Sequence, residues 1–164
     1  MSQYNKLVFH GSNIIVQTPQ MMPEKFAKDF GSGYYVTEYS KQAERWAKHK
    51  VTVNRSGKAI VSLYDFALSQ ALQELNYLYF EEMNDEWLDF IINCRSGKNH
   101  SHDVVEGPMA DDQIYNNISN YINGIITRKE FWILAKFNYP THQIAFHTEQ
   151  SLQYLHFRDF YELK

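Results

Sequence analysis

The sequence predicts an α+β domain, and three observations carry that expectation. Short apolar and aromatic runs alternate with segments of helical spacing, but without the regular strand–helix–strand rhythm of a doubly wound sheet. The 164 residues are about the length of one domain, and no internal repeat or low-complexity linker divides them. Aromatic residues make up 16% of the chain, a richness that suits half-buried pleated surfaces.

The elements follow in order. Leu7-Val8-Phe9 reads as an opening strand that stops at Gly11-Ser12, and Ile14 to Val16 can resume extended structure. Pro23 is suited to the first turn of a short helix reaching about Lys28, because proline is tolerated there. Asp29-Phe-Gly-Ser-Gly33 is a loop, and Tyr34-Tyr35-Val36-Thr37 a strand. Ser40 is expected to cap a helix to about His49, with Ala43, Trp46 and Ala47 at helical spacing. Gly57 turns the chain into a strand from Ala59 to Phe66. Leu68 to Leu78 and Asp85 to Cys94 have helical apolar spacing, and Val104-Val105 forms a short strand ended by Pro108. Asp111 or Asp112 starts a helix carrying Ile114, Ile118, Tyr121 and Ile122. Thr127-Arg-Lys-Glu130 fits a capping box for a helix to about Phe137. His142 to His147 is a strand, and Thr148 caps a last helix through Leu155.

Composition narrows the function. With a formal charge of −3, no global field draws the chain onto nucleic acid, which inclines any acceptor towards protein. Lys48, Lys50, Arg55 and Lys58 lie together, and so do Arg95 and Lys98; both groups read as solvated helix ends and loops. Cys94 is the single cysteine and reads as a small buried hydrophobe, consistent with a reducing compartment. No apolar run follows the N-terminus and none has the length of a membrane helix, so a cytoplasmic protein that engages no membrane is expected. No phosphate-binding Walker loop, zinc spacing or serine-hydrolase elbow is present. His100-Ser-His102 beside Asp103 has a metal-like spacing but reads as an exposed polar loop, so no metal site is expected.

Two segments stand out chemically. In Phe9-His10-Gly11-Ser12 a strand end holds an imidazole, and a glycine lets a ligand approach the backbone. In Gly31-Ser-Gly33-Tyr34-Tyr35-Val36-Thr37 two glycines lead into an aromatic strand and then a helix. Each segment alone reads as a turn. Together, with about two dozen residues between His10 and Tyr35, they resemble the NAD-binding half of ADP-ribosyltransferases of the His-Tyr-Glu type, which include poly-ADP-ribose polymerases and diphtheria-type toxins. That likeness covers residues 6–50. Asp103-Val-Val-Glu-Gly-Pro-Met-Ala-Asp-Asp112 and Gln143-Ile-Ala-Phe-His-Thr-Glu149 resemble a bacterial family of unknown function grouped with these transferases.

The resemblance implies two small antiparallel sheets around an NAD cleft, with flanking helices. It implies that His10 bonds the nicotinamide ribose, that the Gly11 backbone binds the carboxamide, that Ser12 belongs to the cofactor-binding set, and that Tyr35 stacks on the nicotinamide ring. Tyr34, on the opposite face of the strand, is expected in the core. Trp46 or Gln42 would close the other side of the ring, although Trp46 reads first as a core-packing residue. The family's third position, normally Glu, is Gln143 here, which can orient a hydroxyl but brings no charge. Glu106, Asp111, Asp112 and Glu149 are the acidic substitutes, each also readable as a solvated carboxylate or helix cap. The implied activity is mono-ADP-ribosylation of an intracellular protein or nucleic acid with NAD as co-substrate. The implied setting is a toxin held by a small antitoxin protein, or phage defence. The alternative is a catalytically reduced module that binds NAD or ADP-ribose. A phosphotransferase acting on RNA 2′-phosphates would need an arginine cluster that the sequence lacks.

Overall fold

The computed structural model describes residues 3–21, 28–136 and 140–164. The expected helix from Pro23 to Lys28 falls almost wholly outside them. In chain order the elements are β1 (Lys6–Ser12), β2 (Tyr34–Val36), α1 (Ser40–Asn54), β3 (Ile60–Phe66), α2 (Leu68–Glu74), β4 (Tyr77–Tyr79), α3 (Asp85–Arg95), β5 (Val104–Gly107), α4 (Asp112–Ile122), α5 (Arg128–Ala135), β6 (Gln143–Phe146), α6 (Glu149–Leu152) and β7 (Leu155–Glu162).

The α+β class holds, with two small sheets. The first is antiparallel, ordered β1-β3-β7; the second is ordered β2-β6-β5-β4. The second sheet departs from the all-antiparallel expectation, because β4 joins β5 in parallel. Alternation along each strand sorts the side chains into layers. Val8, Tyr64 and Phe66 of the first sheet meet Tyr34, Val36, Val104, Ile144 and Phe146 of the second, which makes the inter-sheet core. On the far face of the second sheet, Tyr35, Val105 and Ala145 pack against Trp87, Leu88 and Ile91 of α3, Ile114 and Ile118 of α4, and Phe131 of α5. On the outer face of the first sheet, Ala43 and Ala47 of α1 cover Val61. Each large apolar side chain withdrawn in this way contributes about 1.5–3 kcal/mol.

The helix signals read from sequence reappear with few changes. Asp111 accepts from the Ile114 N–H and caps α4, and Thr127 with Glu130 forms a reciprocal capping box on α5. Thr148 caps α6 through the Ser151 N–H. Ser40, however, is the first residue of α1, and the cap position is Tyr39 with no side-chain bond. The helix begun at Leu68 stops at Glu74, and Tyr77–Tyr79 is instead a strand held by β5. α6 ends at Leu152, and Leu155–Glu162 is β7, a long edge strand on β3. Cys94 is buried and free, and no described helix is long and apolar enough to cross a membrane.

The two sheets touch through an isolated bridge, in which the Phe9 N–H donates to the Thr37 carbonyl (2.8 Å) and the Thr37 N–H donates to the Phe9 carbonyl (2.9 Å). Beyond it β1 and β2 part, and the candidate site lies at that parting.

Candidate functional site

In an antiparallel ladder, residues two apart turn their N–H and C=O to the same side. Phe9 directs both groups at Thr37, so Gly11 directs its own to that side as well, away from β3. No described residue answers them there. The absent side chain of Gly11 is equally consequential. A Cβ at this position would lie 1.9 Å from the Ala43 carbonyl oxygen and 2.7 Å from the Ala47 nitrogen. Only glycine lets α1 sit this close to the strand. β1 therefore ends in an unpaired amide at the mouth of the split, with a helix pressed against its back.

His10 stands beside that amide and is held rigidly. Its Nδ1–H donates to the Tyr35 carbonyl at 2.7 Å, the last link between β1 and β2. Its ring stacks on Tyr34, with centroids 4.3 Å apart and planes 21° from parallel. The Tyr34 hydroxyl donates to Tyr64 (2.7 Å), which donates to the Val16 carbonyl (2.6 Å). Burial drives the imidazole pKa down to about 4, against the hydrogen bond to Tyr35, and the positive charges of Lys28 and Lys50 push it the same way. His10 is therefore neutral near pH 7, and its Nε2 lone pair is an acceptor.

The ring partner differs from the expectation. The sequence reading aims Tyr35 at the cleft with His10, whereas the structure stacks His10 on Tyr34. Strand alternation is the reason: His10 and Tyr34 share the inter-sheet face, and Tyr35 has the other. The Tyr35 hydroxyl donates to the Gly31 carbonyl (2.6 Å) and accepts the Phe30 N–H (3.1 Å), and Lys28 Nζ lies 5.3 Å from the centre of its ring. Tyr34 belongs to the core, as expected, and also orients the imidazole.

Three other assigned residues fall as follows. The Ser12 hydroxyl is buried and donates to Asn13 Oδ1 (3.4 Å). Gln42 does not reach the split, because both ends of its amide are bound to the His142 backbone: Nε2 donates to the carbonyl (2.5 Å) and Oε1 accepts the N–H (3.3 Å). Trp46 is half-buried and belongs to none of the three cores, so core packing does not account for it. It sits one residue from Ala47 and three from Ala43, the two residues whose backbone faces Gly11.

Gln143 begins β6, on the same face as Tyr35 and Ala145. Its Nε2 donates to Asp29 Oδ2 at 3.0 Å. Asp29, in the loop before Gly31, is buried and fully engaged: Oδ2 also accepts the Ala110 N–H (2.8 Å), and Oδ1 accepts Nε (3.0 Å) and Nη2 of Arg95. Arg95 in turn lies 4.0 Å over the ring of Tyr115. The carboxylate thus dictates which end of the Gln143 amide is spent, and the Oε1 end has no partner among the described residues. Sequence reasoning missed Asp29 entirely. Its signal was slight, an acid opening a glycine loop, and its partners are far away in the chain.

The acidic substitutes lie elsewhere. Glu106 accepts from His142 Nε2 (2.7 Å) and the Tyr77 hydroxyl (2.5 Å), with Lys6 Nζ 3.5 Å away. Burial opposes its charge, but the bonds from His142 and Tyr77 and the charge of Lys6 prevail and hold its carboxyl below the ordinary range. Glu38, Glu106 and His142 could in principle hold a metal ion, their ligand atoms lying within 4.8 Å of one another. Yet the Lys6 ammonium, 2.9 Å from Glu38, already serves as the cation, and His142 Nδ1 is taken by the Glu38 N–H (3.1 Å). Asp111 is the α4 cap, and Asp112 is exposed in the first turn of that helix. Glu149 lines a surface groove with Gln17, Thr18 and His156.

His100 and His102 do not form the exposed loop expected of them. His100 donates to the Phe30 carbonyl (2.8 Å) and packs edge-on against His147 (4.4 Å), which donates to the Ser32 carbonyl (2.8 Å). Two imidazoles thereby tie down the glycine loop ahead of β2. The Nε2 of His147 is buried without a partner.

No curated protein matches the chain. The model of the family described as "Protein of unknown function (DUF3990)" matches residues 7–157, and the chain belongs to that family.

Proposed function

We propose that the split between β1 and β2 is the NAD site of a mono-ADP-ribosyltransferase. One observation carries the reading: β1 runs past its bridge to β2 and leaves the Gly11 N–H and C=O open beside a neutral, fixed imidazole. A donor and an acceptor on one residue match a carboxamide, which offers one of each. Trp46 is the ring available to stack on a flat heterocycle. His10 Nε2 is an acceptor for a ribose hydroxyl, and Gln143 Oε1 is a second. The charges of Lys28 and Lys50, felt at His10, suit a pyrophosphate. Tyr35 borders the split through its carbonyl, which fixes His10, while its ring packs against α3, α4 and α5.

NAD supplies a labile bond between ribose C1′ and the nicotinamide nitrogen. That bond breaks with its electrons leaving on the ring, the acceptor's lone pair forms the new bond to C1′, and the acceptor's proton goes to solvent. The chain holds the leaving group, fixes the sugar through His10 and Gln143, and excludes water with α1 and Trp46. Preorganised dipoles of this kind lower the barrier because they need no rearrangement as charge develops. As the likeness to toxins implies, we place the activity inside the cell, under an antitoxin partner.

A second reading, a binding module that does not turn over, is favoured by one fact: no carboxylate of the described residues is free at the split, since Asp29 is neutralised by Arg95. Purified protein, labelled NAD and cell lysate decide between the two. Transfer of label with release of nicotinamide, lost in His10→Ala and Trp46→Ala, supports the transferase. NAD binding by calorimetry with no nicotinamide released supports the module. Neither binding nor release removes both.

A further inference from the structure

We infer that the exposed face of α1 and the turn after it dock a single-stranded nucleic acid, which makes a nucleic acid the acceptor at the neighbouring split. The acceptor role rests on the transferase reading; the docking surface does not.

Residues 41–58 hold six of the chain's sixteen Lys and Arg but one of its nineteen acids, so this stretch carries +5 while the remainder carries −8. The modest net charge conceals a steep asymmetry. Lys41, Arg45 and Lys48 recur at helical spacing, and all three are exposed. Lys41 pairs with Glu44 and Lys58 with Glu162. Arg45, Lys48, Lys50 and Arg55 have no ion-pair partner among the described residues. The stripe extends over about 20 Å at 1.5 Å per residue, room for several nucleotides.

Two details extend the basic surface of α1 from this stripe round to the split. Lys50 lies seven residues after Ala43, two turns on and on the same side of α1, about half a turn round from Lys41, Arg45 and Lys48; it places a cation on the flank whose backbone faces Gly11, and its charge is felt at His10. Trp46, half-buried, is its i−4 neighbour. A cation beside an available indole suits a phosphate with an unstacked base, which is why a single strand is favoured over a duplex. Arg55 adds an independent sign. It caps α1 at φ 51°, the single non-glycine residue with positive φ among those described. Glycine would be at ease there; a strained arginine at an exposed helix end points to use of its charge.

The test is anisotropy of fluorescein-labelled 20-nucleotide DNA and RNA of mixed sequence, with the full chain and no NAD. Four phosphate contacts predict that log K falls with log[salt] at a slope of about −3. Arg45→Glu/Lys48→Glu should weaken binding at least tenfold at low salt and flatten the slope by about 1.4. Lys98→Glu/Lys129→Glu, equally exposed but elsewhere, should change it less than twofold. Absence of binding at 50 mM salt would overturn the inference. So would equal effects of the two double variants, or displacement by polyglutamate as effective as by unlabelled oligonucleotide, which would signify an acidic protein partner. Whether DNA or RNA binds more tightly identifies the source. If binding passes and NAD cleavage fails, the surface stands and the transferase reading falls; nuclease-sensitive label with NAD joins them.

Discussion

Asp29→Asn, alone and combined with Arg95→Met, tests what orients Gln143. The Asp29 carboxylate accepts four hydrogen bonds, two of them from Arg95, whose side chain is about a fifth exposed. Removing one charge of a buried pair strands the other and costs about 3–5 kcal/mol; the partial exposure of Arg95 and its stack on Tyr115 favour the lower end, about 3 kcal/mol. Adding Arg95→Met removes the stranded cation. The carbonyl of the substituted side chain, at the Oδ2 site, can then accept both the Ala110 N–H and Gln143 Nε2, and its NH2 occupies the Oδ1 site that faced Arg95. The double variant should regain at least half of the lost stability, measured by urea unfolding at pH 7. It should also regain nicotinamide release, because Gln143 Nε2 keeps its acceptor and the Gln143 oxygen keeps its orientation. A single-variant loss below 1 kcal/mol, or a double variant as unstable as the two losses added, would refute this account of the Asp29–Arg95 pair. A double variant that regains stability but not nicotinamide release would refute the positioning role.

Gly11→Ala should cost at least about 3 kcal/mol and lower the melting temperature, because its Cβ meets backbone of α1 that cannot turn aside; a wild-type melting curve would disprove the close seating. Arg55→Gly relieves a left-handed conformation worth about 1 kcal/mol and should leave unfolding stability equal or higher while weakening oligonucleotide binding. His10 and His147 both have pKa values lowered to about 4 by burial, so between 4 and 6.5 the unfolded chain binds more protons and stability falls as pH falls. Between pH 7 and pH 5 each should remove up to about 2 kcal/mol, and His147→Gln should abolish its share of the change in urea midpoint.

The sequence by itself determined what depends on near neighbours. Asp111, Thr127 and Thr148 announce helix starts because a capping side chain reaches only three residues ahead. β1, β2 and β3 are legible as aromatic and β-branched runs, and the pairing of His10-Gly11 with the glycine-led strand is legible as a motif. Tertiary structure decided the rest. Tyr77–Tyr79 continues the apolar spacing of α2 and becomes a strand only because Val104–Glu106 offers it a parallel edge. β7 carries too little alternation to declare itself and exists as the partner of β3. Which of two adjacent tyrosines meets His10 depends on the single bridge at Phe9 and Thr37, since a shift of one residue exchanges the faces. The orientation of Gln143 depends on Asp29, 114 residues earlier, and no local pattern encodes a bond across that distance.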